Sequence, residues 1–387
     1  MIFNSLTYLC TICLVTCLYW FLPNKSRILM LCLSNIIFYS FWRFEFVFLI
    51  IFSAITDYYI SLKMNNVSFL NRKRMLYLSL FINLGILFYF KYIIFFQENV
   101  INFAYFFGIN LDQIFVNIIL PLGISFYTFQ SISYIIDVYN KNILQEKSFL
   151  NYFCYLTFFP QLVAGPILRA SEVIHQFVQK TRFNIDYIFS GFQRIFYGLF
   201  LKVVLADNIA PLVDEGFASS TNQLFALDVW TLSFLFGFQI YFDFSAYSHI
   251  AIGSAILLGI YFPENFNFPY LATSPREFWK KWHISLSSWI RDYLYLPLLG
   301  LKRISKSSGG IDTTKTSKKS NMILISTWGI MGFWHGASWN FFIWGVYHSF
   351  LILIYRFAYS LNLNINKFYQ NLVGIFVTLP LIMLGWI

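Results

Sequence analysis

Charge is what this chain has least of. Only 11% of its 387 residues are Asp, Glu, Lys or Arg, where a soluble domain carries roughly a quarter. Set against 58% hydrophobic and 22% aromatic residues, that scarcity excludes an ordinary soluble fold, which could not hide so much apolar surface. The motifs of several soluble chemistries are missing too. There is no His-Glu-x-x-His, no pair of Cys-x-x-Cys motifs, no Walker phosphate loop and no Gly-x-Ser-x-Gly elbow, which speaks against a bound metal or a nucleotide phosphate. The five cysteines (Cys10, Cys13, Cys17, Cys32 and Cys154) fall inside apolar runs and read as small buried side chains rather than disulfides or metal ligands. Residues 1–22 lack a charged leader region and a small-residue cleavage site, so they read as a first span.

What is present is a succession of apolar runs, at 3–22, 28–42, 44–62, 76–97, 100–120, 121–139, 150–168, 185–205, 225–241, 245–262, 285–300, 321–334, 339–359 and 369–387. Backbone polar groups in lipid must be satisfied within the segment that carries them, so runs near twenty residues predict helices rather than a barrel. The expectation is a single all-α polytopic membrane domain with about ten or eleven transmembrane helices, the shorter pieces being re-entrant or interfacial. No internal repeat or second domain is visible. The net charge of +10 comes from 27 Lys and Arg scattered between the runs, which reads as orientation rather than nucleic-acid binding. Lys25 and Arg27 after the first run, and Lys63, Arg72, Lys73 and Arg74 after the third, place those loops inside and the N-terminus outside the cell. The same count brings the loop with Lys141 and Lys147 to the cytoplasm. Residues 301–320 form the long hydrophilic segment, with six Lys or Arg against Asp312, and read as a solvated cytoplasmic loop near anionic headgroups.

Polar residues concentrate in 239–295. Pro275 after Ser274 opens a helix with Glu277 in its first turn. Helical spacing puts Phe278, Trp282, Leu286 and Trp289 on one side and Arg276, Lys280, His283, Ser287 and Arg291 on another. Periodicity alone favours a plain amphipathic helix at the membrane surface; His283, which an anchor does not need, speaks for a site. A second constellation runs from Met331 to Asn340, followed by Trp344, Tyr347 and His348. His335 precedes Gly336, where a helix can break and a backbone can approach a ligand. A catalytic group and a packed structural histidine are both open there. His348 lies thirteen residues on, about 220° around a continuous helix, and with His249 is assigned to helix–helix hydrogen bonding. His175 is assigned to a loop or interface.

Seven stretches then carry a resemblance: Leu120–Gln130 with Tyr134 and Asp137, Phe159–Pro166, Tyr241–Ser245 with Tyr247, Phe262–Pro269, Arg276–Ser287, Arg291–Tyr293 and Gly332–Gly336. In this order the chain resembles the membrane-bound O-acyltransferases (MBOAT family), in the bacterial branch of the alginate O-acetylation membrane protein and, more distantly, the teichoic-acid D-alanylation membrane protein. The resemblance implies a ring of helices around a central funnel. It implies His335 as the essential histidine and His283 as the second active-site histidine, with Asp243, Ser245, Tyr247, Arg276, Trp279, Trp334 and Asn340 lining the cavity or substrate path. It implies no bound cofactor, a thioester such as acetyl-CoA as acyl donor, a polysaccharide acceptor, a periplasmic partner, and a place in the bacterial cytoplasmic membrane. The residue at His249 is usually Asp in the branch, and Pro297-Leu-Leu-Gly-Leu301 is usually Pro-Leu-Gly-Gly-Asn. The branch also continues past a Gly-Trp like Gly385-Trp386, so the chain reads as truncated there. D-alanyl transfer to a cell-wall polymer and a non-enzymatic transporter or flippase, whose broken helices would line a path without covalent chemistry, are the alternatives.

Overall fold

The computed structural model describes residues 3–65, 67–163, 165–219, 224–301, 318–361 and 366–387. The basic segment expected at 301–320 lies almost wholly outside them. Helices account for the regular structure, with no strand among the described residues. Two compact units are formed, Met1–Phe192 with Ile252–Phe262, and Gln193–Ala251 with Pro263–Ile387.

The first unit contains α1 (Leu6–Phe21), α2 (Asn24–Ser40), α3 (Glu45–Met64), α4 (Phe69–Leu87), α5 (Ile93–Phe106), α6 (Ile124–Tyr139), α7 (Phe149–Thr157), α8 (Phe159–Leu162), α9 (Ala170–Val178) and the start of α10 (Ile185–Leu199). A π-helical turn at Phe88–Tyr92 joins α4 to α5. The run expected to span 100–120 does not. Gly108, at φ 76°, ends α5, with Ile109 N–H donating to the Ala104 carbonyl at 3.0 Å, the left-handed cap that glycine adopts without a Cβ penalty. Beyond it the irregular chain is held by Gln97, which accepts from Ile114 N at 2.9 Å and Phe115 N at 2.7 Å. Asp57, fully buried on α3, accepts from Ser79 at 2.6 Å and from Asn83 at 3.0 and 2.9 Å, and these bonds offset the cost of burying a carboxyl. The cysteines depart from expectation: Cys32 and Cys154 are buried, but Cys10, Cys13 and Cys17 are exposed, and all five are free. Three cysteines at helical spacing therefore mark an outward face of α1. His175 is exposed on a helix, α9, rather than in a loop.

The second unit holds the rest of α10, a π-helical turn at Phe200–Ala206, α11 (Asp207–Ala218), most of α12 (Ala226–Leu257), α13 (Pro275–Lys281), α14 (Ile284–Ile290), a π-helical turn at Arg291–Tyr295, α15 (Leu296–Leu298), α16 (Lys318–His335), α17 (Trp339–Ser360) and α18 (Lys367–Leu384). The runs 225–241 and 245–262 merge into one 32-residue helix, α12. Asp243 does not interrupt it, because Lys202 of a neighbouring segment pairs with its carboxylate. Among the described residues, four helical stretches are long and apolar enough to cross a membrane: Glu45–Met64, Phe69–Phe106, Ile185–Ala218 and Trp339–Ser360. Two shorter apolar helices, Leu6–Phe21 and Gln370–Leu384, accompany them. The chain is an all-α polytopic membrane protein.

The tightest helix pair is α16 against α17. A Cβ at Gly332 would collide with the Phe341 carbonyl oxygen and stand 3.3 Å from Gly345 Cα, and one at Gly345 would collide with the Trp328 carbonyl oxygen. In lipid, where apolar side chains gain nothing by leaving their solvent, such backbone-to-backbone contact through small residues supplies the packing. Gly345→Leu is expected to lower stability by about 1–3 kcal/mol through overpacking. Gly85→Ala, on α4 with nothing within 4 Å of the new methyl, should raise it by about 0.5–1 kcal/mol. Thermal unfolding of the purified protein in detergent checks both signs.

Candidate active site

The region around His283 is two short helices, not one. Ser274 caps α13, its hydroxyl accepting from Glu277 N at 3.1 Å, and Pro275 occupies the first turn as expected. Glu277 in turn accepts from Thr273 and from Lys281 at 2.8 Å. Burial pushes this carboxyl up, but the bonds from Lys281 and Thr273 outweigh it and hold the group at about 2. The helix then stops. Trp282 is extended, and His283 is left-handed at φ 43°, ψ 55°. The Asn-Phe-Asn strip at 265–267 runs beside the break and satisfies the backbone on both sides: Asn267 N donates to the Lys281 carbonyl at 2.9 Å, and Ile284 N donates to the Asn265 carbonyl at 2.9 Å. The expected surface helix is also corrected. Phe278, Trp279, Trp282, Leu286 and Trp289 are all buried, as is His283 at 2% exposure, so the tryptophans are core rather than interfacial.

Asn265 also orients the imidazole. Its Oδ1 lies 3.2 Å from Ser285 N and 2.8 Å from Ser285 Oγ, while its Nδ2 donates to Ser248 Oγ on α12 at 3.0 Å. A backbone N–H can only donate, so Oδ1 is the acceptor, and His283 Nδ1, 3.2 Å from it, carries the proton. Nε2 is then the basic nitrogen. The Phe244 ring meets the imidazole edge-on at 4.7 Å. His283 lies outside the four spanning helices. Burial, and secondarily His335 nearby, pushes its pKa well below the usual 6.5, so the ring is neutral at pH 7.

The other wall is the α16–α17 hairpin. His335 is the last residue of α16 and is exposed. The helix ends there as the following glycine predicts, and a Cβ at Gly336 would strike the Phe341 ring. His335 packs on Trp334 at 4.9 Å and on Trp344 at 5.0 Å. Trp344 also meets His348 at 4.9 Å, and Trp279 of α13 meets His348 at 5.0 Å. The 220° separation expected of His335 and His348 belongs to a continuous helix; the chain reverses between them, so both face one tryptophan. Nor does His348 make the expected helix–helix hydrogen bond: it is fully buried and neither ring nitrogen has a partner. His249 likewise has no partner at Nδ1 and packs edge-on against Tyr197 at 4.7 Å.

The cavity residues divide. Trp279 and Trp334 join the histidine cluster. Asp243 and Tyr247 belong to a separate one on Lys202, whose Nζ is 2.6 Å from Asp243 Oδ1, 2.8 Å from Asp207 Oδ1 and 5.8 Å from the centre of the Tyr247 ring. Lys202 sits in the π-helical turn, the kind of widened turn that recurs at functional sites. Ser245 is buried on α12, and Arg276 and Asn340 are exposed in the first turns of α13 and α17. Asn265 and Lys202 were not singled out from the sequence, whereas Trp344 and His348 were named beside the second constellation without a place in the site. Asn265 stands in the polar stretch, but nothing local says that it reaches residue 283. Among the described residues, no three His, Cys, Asp or Glu side chains are grouped to hold a metal ion. The arrangement offers an exposed imidazole, a buried neutral imidazole of fixed tautomer, and indole N–H groups, the parts of a proton-transfer and oxyanion-binding site.

The profile of the membrane-bound O-acyltransferase family matches residues 140–386. The probable alginate O-acetylase of Azotobacter vinelandii is 37% identical over 373 residues, covering 96% of this chain and 71% of the relative. The peptidoglycan O-acetyltransferase of Helicobacter pylori is 35% identical over 386 residues, covering 93% and 70%. The teichoic acid D-alanyltransferase of Streptococcus thermophilus is 29% identical over 296 residues, covering 69% and 67%.

Replacing Asn265 by Leu should lower the acyl-transfer rate about 10–100-fold, the usual effect of losing the partner that orients a histidine, measured as initial rates at saturating substrate. A pH effect follows from the depressed His283 pKa. The unfolded chain takes up that proton first, so the stability contributed by the neutral ring is complete above about pH 6.5 and is lost as pH falls below it. His283→Asn should therefore flatten the decline in melting temperature between pH 7.5 and 5; an unchanged slope would count against the buried neutral ring.

Proposed function

Because the chain belongs to the membrane-bound O-acyltransferase family and is an O-acyltransferase, we propose that it moves an acetyl group from a cytoplasmic thioester, acetyl-CoA, to O-acetylate an extracytoplasmic polysaccharide. The observation that carries this is the pair of histidines, His283 at the α13–α14 break and His335 at the end of α16, near enough for His335 to act electrostatically on His283, together with O-acetylating relatives that match nearly the whole chain. The D-alanyl-transferring relative is more distant and matches less of the chain, so acetyl is the preferred acyl group. The protein resides in a bacterial cytoplasmic membrane with its N-terminus outside, as the Lys and Arg distribution implies. A periplasmic partner that receives the acetyl group and passes it to the polymer fits the same chemistry.

Acyl transfer needs a base for the hydroxyl proton and hydrogen-bond donors for the developing oxyanion. His335, exposed at the end of α16, is the base. It takes the proton as the hydroxyl oxygen attacks the acyl carbon and returns it to the leaving sulfur. His283, with its proton held on Nδ1, presents Nε2 as an acceptor and positions a reactant that brings a donor. Trp279 and Trp334 wall the reacting centre, and Asp243 with Tyr247 fixes Lys202 on α10–α12.

Purified wild-type protein should consume acetyl-CoA thioester and acetylate a hydroxyl acceptor, and His335→Ala should lower kcat at least about 10³-fold, in line with loss of a proton-transfer group. Transfer at the native rate by His335→Ala would sink this assignment.

A further inference from the structure

His348 and Trp279, in contact within the histidine cluster, are buried polar side chains with no hydrogen-bond partner among the described residues. Both ring nitrogens of His348 and the Nε1–H of Trp279 lack hydrogen-bond partners, although His348 is fully buried and Trp279 is 6% exposed. Leaving a buried polar atom unbonded is costly, and here two such side chains, from α17 and α13, meet edge-on with centroids 5.0 Å apart. Trp328, Trp344 and Trp386 surround them at centroid distances of 4.7 Å from Trp279, 4.9 Å from His348 and 6.1 Å from His348 respectively. At Gly385 a Cβ would stand 3.0 Å from His348 Nε2, so a side chain there would crowd that edge of the imidazole.

A neutral imidazole carries one N–H and an indole another. The pair thus supplies two uncharged donors in a dry, aromatic setting, one tryptophan ring away from His335. Donors of this kind act most strongly on an oxygen that gains negative charge during reaction, because low dielectric magnifies the interaction and no reorganisation is needed.

We propose that Trp279 Nε1–H and the ring N–H of His348 receive the carbonyl oxygen of the acyl group and stabilise the oxyanion that forms on it. The acceptor hydroxyl oxygen bonds to the acyl carbon, its proton passes to His335, and the carbonyl π pair moves onto the oxygen held by the two N–H groups. Collapse restores the carbonyl and breaks the bond from the acyl carbon to the leaving atom, which takes the proton from His335. Trp344, half-buried and in ring contact with both histidines, lies beside the acyl group in this arrangement. The inference rests on His335 as the base.

The test uses the purified 387-residue chain and acetyl-CoA as donor. Trp279→Phe, which keeps a ring but removes the N–H, and His348→Leu should each lower kcat about 10–100-fold, near the lower end of the effect of deleting an oxyanion donor. KM for acetyl-CoA should stay within about twofold, since the interaction belongs to the transition state. Melting temperature should hold or rise, because each change removes an unbonded polar group. His348→Gln, which restores a neutral N–H, should recover part of the lost kcat. Should His348→Leu fail to fold, Trp279→Phe and His348→Gln carry the test. Wild-type kcat in Trp279→Phe and His348→Leu, or kcat and melting temperature falling together with no recovery in His348→Gln, overturns the proposal. His335→Ala in parallel separates the two readings: full activity there removes the base assignment, whereas an inactive His335→Ala beside wild-type Trp279→Phe and His348→Leu removes the oxyanion site alone.

Discussion

The histidine cluster of the second unit depends on how closely α16 and α17 can approach. Gly332 and Gly345 let the two backbones touch where any side chain would hold them apart, and the short reversal after His335 is possible because the helices are already in contact. From that follows the stacking order of His335, Trp344 and His348, and from Trp279 on His348 follows the docking of α13. A wider crossing would leave the same residues in the sequence and no site. Burial of apolar side chains cannot supply this contact, since lipid solvates leucine as well as another helix does; close backbone approach can.

Polar groups within the second unit meet three fates. Some are hydrogen-bonded in chains, as from Ser248 through Asn265 to His283. Some are neutralised in ion pairs, as Lys202 is by Asp243 and Asp207. Those of His348 and Trp279 are left open, and they lie in the cluster of rings that also contains His335. Other buried side-chain atoms, His249 Nδ1 and Thr327 Oγ1 among them, are also unbonded; what sets His348 and Trp279 apart is that two such side chains meet edge-on within the ring cluster. The contrast with Asp57 in the first unit is instructive: that carboxyl is just as buried, yet hydroxyl and amide donors surround it, the pattern of a group that stabilises its own helices.

Much of this was legible in the sequence. Apolar run length announced a helical membrane protein, the Ser274-Pro275 pair announced the start of α13, and Gly336 announced the end of α16. The motif order pointed to His335 and His283 together. Two errors at the site share one cause, that periodicity assumes a continuous helix. It carried α13 through His283, where tertiary bonds from the Asn265 strip end it, and it sent His348 to the far side of a helix that in fact turns back. Separately, the apolar-run reading divided α12 at Asp243, whose partner Lys202 in the π-helical turn after α10 no local window could reveal. Long-range satisfaction, at Asn265 and Lys202 alike, is what a single sequence conceals.

The left-handed backbone at residue 283 has an evolutionary corollary. Few side chains tolerate that region without strain of about 1–2 kcal/mol; glycine does so freely, and asparagine, aspartate and histidine are the enriched exceptions. Substitution here is thus filtered first by conformation and only then by chemistry. Of the residues that pass the first filter, histidine alone provides a ring nitrogen that is basic near neutrality. Drift at this position has a short alphabet, and a protein that left histidine would arrive by default at an amide, a carboxylate or nothing, each of which rewrites what the neighbouring imidazole of residue 335 has to work with.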